Sequence, residues 1–210
     1  LVSQAEALGA DGRHAESIEP LRQALALLGK GRSRDALLMG STFGSLGAGL
    51  ANEGRYAEAA AALKQAEPLL ETAGAEAQPE LAELYTNQAA VENGLGRFDR
   101  AVSGMARAMA ICTKPQFLRH VSCGTIQTGR ARMVLNTGRP GSPADAEAEA
   151  RAGLALLEPM GDEYPPLFMA RIVLAQTLDR LGQNAEAAVI QRDAVRKTGG
   201  PARSEREVGD

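Results

Sequence analysis

The 210-residue chain carries 23 Lys and Arg against 26 Asp and Glu, a formal net charge of −3 at pH 7. This slightly acidic balance gives no general attraction to nucleic acid or anionic lipid, so we expect neither as a partner. Hydrophobic residues make up 44% of the chain, but aromatic residues only 3%, and Trp is absent. Alanine, leucine and glycine must therefore do most of the packing, which favours closely packed helices over strands.

The chain lacks the sequence features of a membrane or secreted protein. No apolar run of 18 residues occurs, so no membrane span is expected. Cys112 and Cys123 are too few for a disulfide framework, and we expect both to be reduced, as in a cytoplasmic protein. Leu1 is not preceded by Met or a basic signal region, and we interpret the sequence as a segment of a longer protein.

A glycine-led motif recurs along the chain. Its copies read GRHAESI, GRYAEAA, GRFDRAV, the degenerate GRPGSPADA and GQNAEAA, and they begin at Gly12, Gly54, Gly96, Gly138 and Gly182. The intervals are 42, 42, 42 and 44 residues, the last being longer because the turn after Gly138 has three more residues and the next loop one fewer. This regularity predicts five copies of one structural unit.

Each unit is predicted to contain two helices, helix A before the glycine and helix B after it. Helix A is clearest over residues 80–95 and 167–181, and the glycine suits the left-handed residue that ends a helix. In helix B, small residues follow the glycine by 5 and 12 positions, and large apolar residues by 9 and 15. These offsets predict one buried stripe on each helix B. Its members are Ser17, Leu21, Ala24 and Leu27; Ala59, Leu63, Ala66 and Leu69; Ala101, Met105, Ala108 and Ile111; Ala187 and Ala194.

These features resemble the tetratricopeptide repeat, or TPR. That family has a small residue in helix A, which is here Ala5, Gly47, Ala89, Ala131 and Ala175, each seven positions before its glycine. The 42-residue period is similar to that of the kinesin-light-chain type, which is common in bacterial multidomain proteins. The resemblance implies an all-α, right-handed superhelical solenoid of about five helix-turn-helix units over residues 1–198. We expect the first helix A to be short and residues 199–210 to be a disordered tail.

The resemblance also implies a binding surface, because TPR proteins bind peptides in a concave groove lined by helix A. It implies that the residues two, three, six, nine and ten positions before each glycine face inward, and Val173 is one of them. On this basis the expected peptide-binding residues are Asn52, Asn87, Asn93, Arg132, Asn136 and Gln176, and the expected groove floor is Gly44, Ala48, Ala51 and Ala90. The amides could form a ladder that donates to and accepts from a peptide backbone, and Arg132 could pair with a carboxylate. Alternatively, Asn52 and Asn136 serve local turn geometry, and the glycines near Gly44 only loosen their helix.

Catalytic and metal sites are not indicated. His120 and Cys123 are three residues apart on a predicted helix, but a zinc site would need two further ligands. We interpret Cys123 as a small buried residue and His120 as a surface residue, in preference to a nucleophile pair. No acid–base pair or phosphate loop is evident, and no cofactor is expected.

The leading hypothesis is therefore a protein- or peptide-binding scaffold or regulatory module, and not an enzyme. The alternative is an architectural spacer or self-association module, with contacts through the N-terminal edge of the array. A small-molecule sensor is a more remote alternative, which an enclosed pocket would favour over an open groove.

Overall fold

The computed structural model describes residues 1–30, 35–114, 116–117, 121–139 and 142–197. These residues form ten α-helices and no strand. The helices are α1 Val2–Ala10, α2 His14–Lys30, α3 Ala36–Asn52, α4 Tyr56–Ala73, α5 Gln78–Gly94, α6 Phe98–Cys112, α7 Val121–Asn136, α8 Ser142–Leu157, α9 Pro165–Arg180 and α10 Asn184–Lys197. Short 3-10 turns follow α4 (Gly74–Ala77) and α8 (Glu158–Met160). The predicted all-α class is confirmed.

Odd-numbered helices are the predicted helix A and even-numbered helices the predicted helix B. The pairs α1–α2, α3–α4 and α5–α6 lie in unit 1, Leu1–Leu118, and α7–α8 and α9–α10 lie in unit 2, Arg119–Asp210. Within each pair the two helices pack against each other. The first helix A spans nine residues and is short, as predicted. The tail predicted for residues 199–210 lies outside the described residues.

The turn inside each repeat has the predicted left-handed glycine. Gly12, Gly54, Gly96, Gly138 and Gly182 have φ between +64° and +76°. At Gly54 the amide donates to the carbonyl of Ala51 (3.0 Å), and the amide of Arg55 donates to that of Leu50 (2.9 Å). This pair of bonds satisfies carbonyls that the end of α3 leaves free and turns the chain into α4.

The buried stripe of helix B is confirmed at most positions. The members 5, 9 and 12 residues after the glycine are buried in every repeat where they were named, and Met105 is 0% exposed. The small helix A residues Ala5, Gly47, Ala89, Ala131 and Ala175 are buried as well. In unit 2, Ala131 lies in one hydrophobic cluster with Leu135, Val173 and Leu174.

The prediction is wrong at Leu27. This residue is 62% exposed, although the stripe predicts that it is buried. In later repeats this end of helix B is covered by the helix A residue 14 positions before the glycine. A Cβ on Gly40 would contact Leu69 and Leu70, and a Cβ on Gly124 would contact Leu156 and Leu157. Among the described residues, the first helix A has none at that place.

Candidate functional site

The candidate site in each unit is the side of helix A that faces away from helix B, which we call the inner face. Helix α3 packs against α5 in unit 1, and α7 packs against α9 in unit 2. Among the described residues, α4 and α6 make no comparable contact with each other. Neighbouring A helices therefore form a continuous surface within each unit.

Three glycines show how α3 is surrounded. A Cβ on Gly47 would lie 2.5 Å from Leu63 of α4, and a Cβ on Gly49 would lie 3.3 Å from the Ser17 hydroxyl of α2. A Cβ on Gly44, in contrast, would meet nothing within 4 Å. Ala48 and Ala51 follow Gly44 at helical spacing and are half-buried. This open face of α3 has no large side chain at these three positions, so a ligand backbone could approach it closely.

The predicted amides of unit 1 differ in their surroundings. Asn87 and Asn93 on α5 are half-buried, as is Ala90 between them, whereas Asn52 is exposed at the end of α3. The Nδ2 atom of Asn87 is buried and has no hydrogen-bond acceptor in the described part of the chain. A buried donor without an acceptor is unfavourable, so an incoming carbonyl oxygen would be a favourable partner.

Three acidic residues near the same face were not predicted as site residues. Glu80 and Glu83 lie on α5 and Glu6 lies on α1. Part of the Glu83 residue is exposed, but the partial burial of its carboxyl disfavours the charged form and raises the pKa of Glu83. The negative charges of Glu80 and Glu6 raise this pKa further. The Oε2 atom of Glu80 is buried without a hydrogen-bond donor among the described residues. Extending the inward stripe by one helical turn, to 13 positions before the glycine, would have identified Glu83.

The inner face of unit 2 contains a groove of about 320 Å³ between α7 and α9, here called the inner groove. Val173 and Met169 contribute apolar surface, the first buried and the second 43% exposed. Arg132 lies at the exposed rim and forms no ion pair or side-chain hydrogen bond with the described residues. The remaining lining residues are Thr125, Thr128, Gly129, Pro165 and Pro166.

The inner groove brings Arg132 together with Val173, two residues from different repeats. Met169 was missed by the sequence analysis, and it also lies 13 positions before its glycine. Asn136 and Gln176, the other predicted residues of unit 2, are exposed and do not line this groove. The amide ladder stays a prediction, since Asn52, Asn87 and Asn93 belong to unit 1 and Asn136 and Gln176 to unit 2.

The cysteines differ from the prediction. Neither Cys112 nor Cys123 is a free thiol, so the expectation of two reduced thiols is wrong. Cys123 is buried, as the preferred interpretation required, while His120 lies outside the described residues. The cytoplasmic location stays a prediction.

The described residues contain neither a further site for a metal ion nor a membrane-spanning helix. No group of three or more His, Cys, Asp and Glu residues there could hold a metal ion. None of the helices there has the length and hydropathy required to cross a bilayer.

Comparison with solved structures identifies the fold. BtubC (BKLC) from P. vanneervenii matches with a TM-score of 0.74 and 17% identity, over 98% of this chain and 84% of that chain. Two structures of kinesin light chain nearly identical TPR-like repeats from Podosopora anserina also match. One of them, a point variant, has a TM-score of 0.70 and 19% identity, over 94% and 92% of the two chains. The other has a TM-score of 0.66 and 20% identity, over 96% and 95%. No family model and no curated protein sequence matches. The chain therefore has the fold of TPR-like helical repeats, as its sequence predicts.

Proposed function

We propose that this chain is a protein-interaction scaffold that binds a segment of a partner protein on the inner faces of its A helices. Stacked helical repeats present extended surfaces of this kind and need no cofactor to use them. The observation that carries the proposal is the inner groove, where apolar side chains lie beside a guanidinium group without a partner among the described residues.

The side chains that line the inner groove indicate which kind of peptide segment it binds. Met169 and Val173 would contact an apolar side chain, and Arg132 would pair with a carboxylate next to it. Arg132 is exposed, so its charge is solvated when the groove is empty and carries no burial penalty. We therefore infer a peptide that combines apolar and acidic residues.

Unit 1 supports the same function through backbone recognition. The open face at Gly44 and Ala48 allows close approach of an extended chain, and Asn87 Nδ2 would donate to one of its carbonyl oxygens. The inner groove of about 320 Å³ is open to solvent, which favours a peptide over an enclosed small molecule.

An eight-residue fluorescent peptide of alternating Glu and Leu tests this function, with a Lys/Leu peptide as its charge-reversed counterpart. We expect the Glu/Leu peptide to bind, and Arg132→Ala to weaken it about tenfold, since charge-assisted hydrogen bonds contribute about 1.5–3 kcal/mol. Adding Asn87→Ala should weaken binding further. Fluorescence anisotropy gives the affinities, and thermal melting checks that the variants remain folded.

Arg192→Ala is the matched control, because Arg192 is an exposed arginine on α10 that no described residue contacts through an ion pair. Equal affinity of wild type and the Asn87, Arg132 double variant would refute binding at these inner faces. Equal binding of the Lys/Leu peptide would show that charge does not select the ligand.

Self-association is the second candidate function, and the exposure of Leu27 favours it. An uncovered apolar side chain at the first repeat could pack against a second copy. If the chain acts only as a peptide-binding scaffold, light scattering should give the monomer mass across a hundredfold range of concentration. A dimer that Leu27→Gln dissociates would instead support the architectural role.

A further inference from the structure

The outer side of unit 1 contains a second groove of about 340 Å³, lined by α4, α5 and α6. We call it the outer groove. It lies on the side of the B helices and shares no lining residue with the inner groove. Gly104 and Ala89 form part of its floor, where a Cβ on Gly104 would lie 3.1 Å from that of Ala89. Lys64 and Arg100 lie on its walls.

Ion pairs join successive B helices at one recurring place. In the first two repeats, Arg22 Nη2 lies 3.0 Å from Glu58 Oε2. In the last two repeats, Arg151 Nη2 lies 2.9 Å from Glu186 Oε1. Each arginine is in the middle of one helix B, and each glutamate is in the first turn of the next. At these two repeat junctions, an arginine of one helix B is thus paired with a glutamate of the next helix B.

The junction between the second and third repeats breaks this arrangement. The residues 42 positions after Arg22 and Glu58 are Lys64 and Arg100. Two cations therefore lie where the first junction has a cation and an anion. Both are exposed, and neither forms an ion pair or side-chain hydrogen bond with the described residues. Like charges at such a position repel each other unless an anion lies between them.

The carboxylates of the outer groove have other partners. Glu67 accepts hydrogen bonds from Arg107 (2.6 Å) and from Gln88 (3.0 Å). Burial raises the pKa of Glu67, but the bonds from Arg107 and Gln88 outweigh this effect, so its pKa is lowered and the group stays ionised. Glu92 is paired with Arg97 at 3.5 Å. Neither carboxylate forms an ion pair with Lys64 or Arg100.

We propose that the outer groove binds an acidic peptide segment of a partner protein, with one of its carboxylates between Lys64 and Arg100. This carboxylate takes the place that Glu58 and Glu186 hold at the first and last junctions. A side-chain carboxylate is the favoured group because the repeat itself accommodates one there, on a helix, beside an arginine. The Ser103 hydroxyl, exposed on the same groove, supplies a further donor. This site goes beyond the inner-face function and does not depend on it.

A hexaglutamate peptide with a fluorescent label tests the proposal, with Arg132→Ala as the parent protein so that the inner groove cannot contribute. We expect binding at low ionic strength that weakens with salt. Lys64→Ala should weaken it about three- to fivefold, which is typical of one exposed ion pair. Arg100→Glu should weaken it more than about tenfold, because it places a carboxylate in the groove itself. Arg192→Glu, which makes the same change of charge on α10, should leave the affinity unchanged.

Thermal melting provides an independent readout. Arg100→Glu would pair with Lys64 as Glu58 and Glu186 pair with arginines at the first and last junctions. The Tm of Arg100→Glu should therefore exceed that of Arg100→Ala by about 1–3 °C. An Arg100→Glu variant no more stable than Arg100→Ala would overturn the assigned geometry. Equal losses with Arg192→Glu and Arg100→Glu, or no binding of the parent, would overturn the site. Tighter, Lys64-dependent binding of tripolyphosphate than of hexaglutamate would overturn the choice of a carboxylate.

Discussion

Gly153→Ala should be strongly destabilising, because α7 and α8 cross at Gly153 with no room for a methyl group. A Cβ there would lie 2.6 Å from Thr128 Oγ1, 2.9 Å from the Gly124 carbonyl oxygen and 3.0 Å from the Thr128 backbone nitrogen. Two of these atoms belong to the backbone of α7 and cannot move without shifting the helix. We expect a loss of about 2 kcal/mol or more, after the gain of about 1 kcal/mol in helix propensity. Thermal melting should show Tm lowered by at least about 4 °C.

Gly44→Ala is the matched control for Gly153→Ala. Gly44 is also inside a helix, but an added Cβ would meet nothing within 4 Å. The gain in helix propensity is then unopposed, and stability should rise by about 0.5–1 kcal/mol. If Gly153→Ala raises Tm as Gly44→Ala does, both glycines act through helix propensity alone and the close crossing has no energetic effect.

Asp162→Ala should destabilise unit 2 by leaving a nearly buried cation without its counter-charge. Arg171 on α9 has a side chain only 11% exposed, and its Nη2 lies 2.6 Å from Asp162 Oδ1 in the turn before the helix. Its Nη1 is already buried without an acceptor among the described residues. Removing one partner of a buried pair costs about 3–5 kcal/mol, and the 43% exposure of Asp162 reduces our expectation to about 2 kcal/mol. Thermal melting should show Tm lowered by about 4–8 °C.

Arg171→Met separates two contributions to stability: the cost of an unpaired charge at Arg171 and the packing of its side chain. Methionine fills much of the same volume and needs no counter-charge, so this variant should lose less than half as much stability. A loss with Arg171→Met as large as with Asp162→Ala would mean that the arginine stem, and not its charge, stabilises this turn. Hydrogen exchange should then show equal loss of protection around residues 158–164 in both variants.

The candidate site could be predicted only in outline. The inward positions of helix A place Arg132 and Val173, and the structure brings both into the inner groove. Met169 and Glu83 lie one turn earlier on the same stripe, outside the five positions of each helix A that the resemblance implies. A periodic pattern identifies which side of a helix faces inward, but it does not show how far along the helix a groove extends.

The sequence predicts even less about which exposed cations of helix B form ion pairs. Arg22, Arg151 and Lys64 are equivalent exposed cations in helix B, and their own helices do not show which of them faces a carboxylate of the next repeat. The structure shows that Arg22 and Arg151 face a glutamate from the next repeat, whereas Lys64 lines the outer groove with Arg100. Whether a cation at this place pairs with the next helix B depends on a residue about 36 positions away, so composition and helix periodicity do not determine it.

By itself, the sequence determines the repeat, the all-α fold and the residues that end and pack its helices. These features follow from local physics: a left-handed glycine such as Gly54 ends a helix, and small or apolar residues at offsets of three and four form one buried stripe. Only the tertiary structure decides which members of that stripe are covered, as Leu27 shows, and which cations in the described part of the chain lack a partner. Burial and pairing need a second helix at a particular place, and the position of that helix is set by packing between elements distant in the chain.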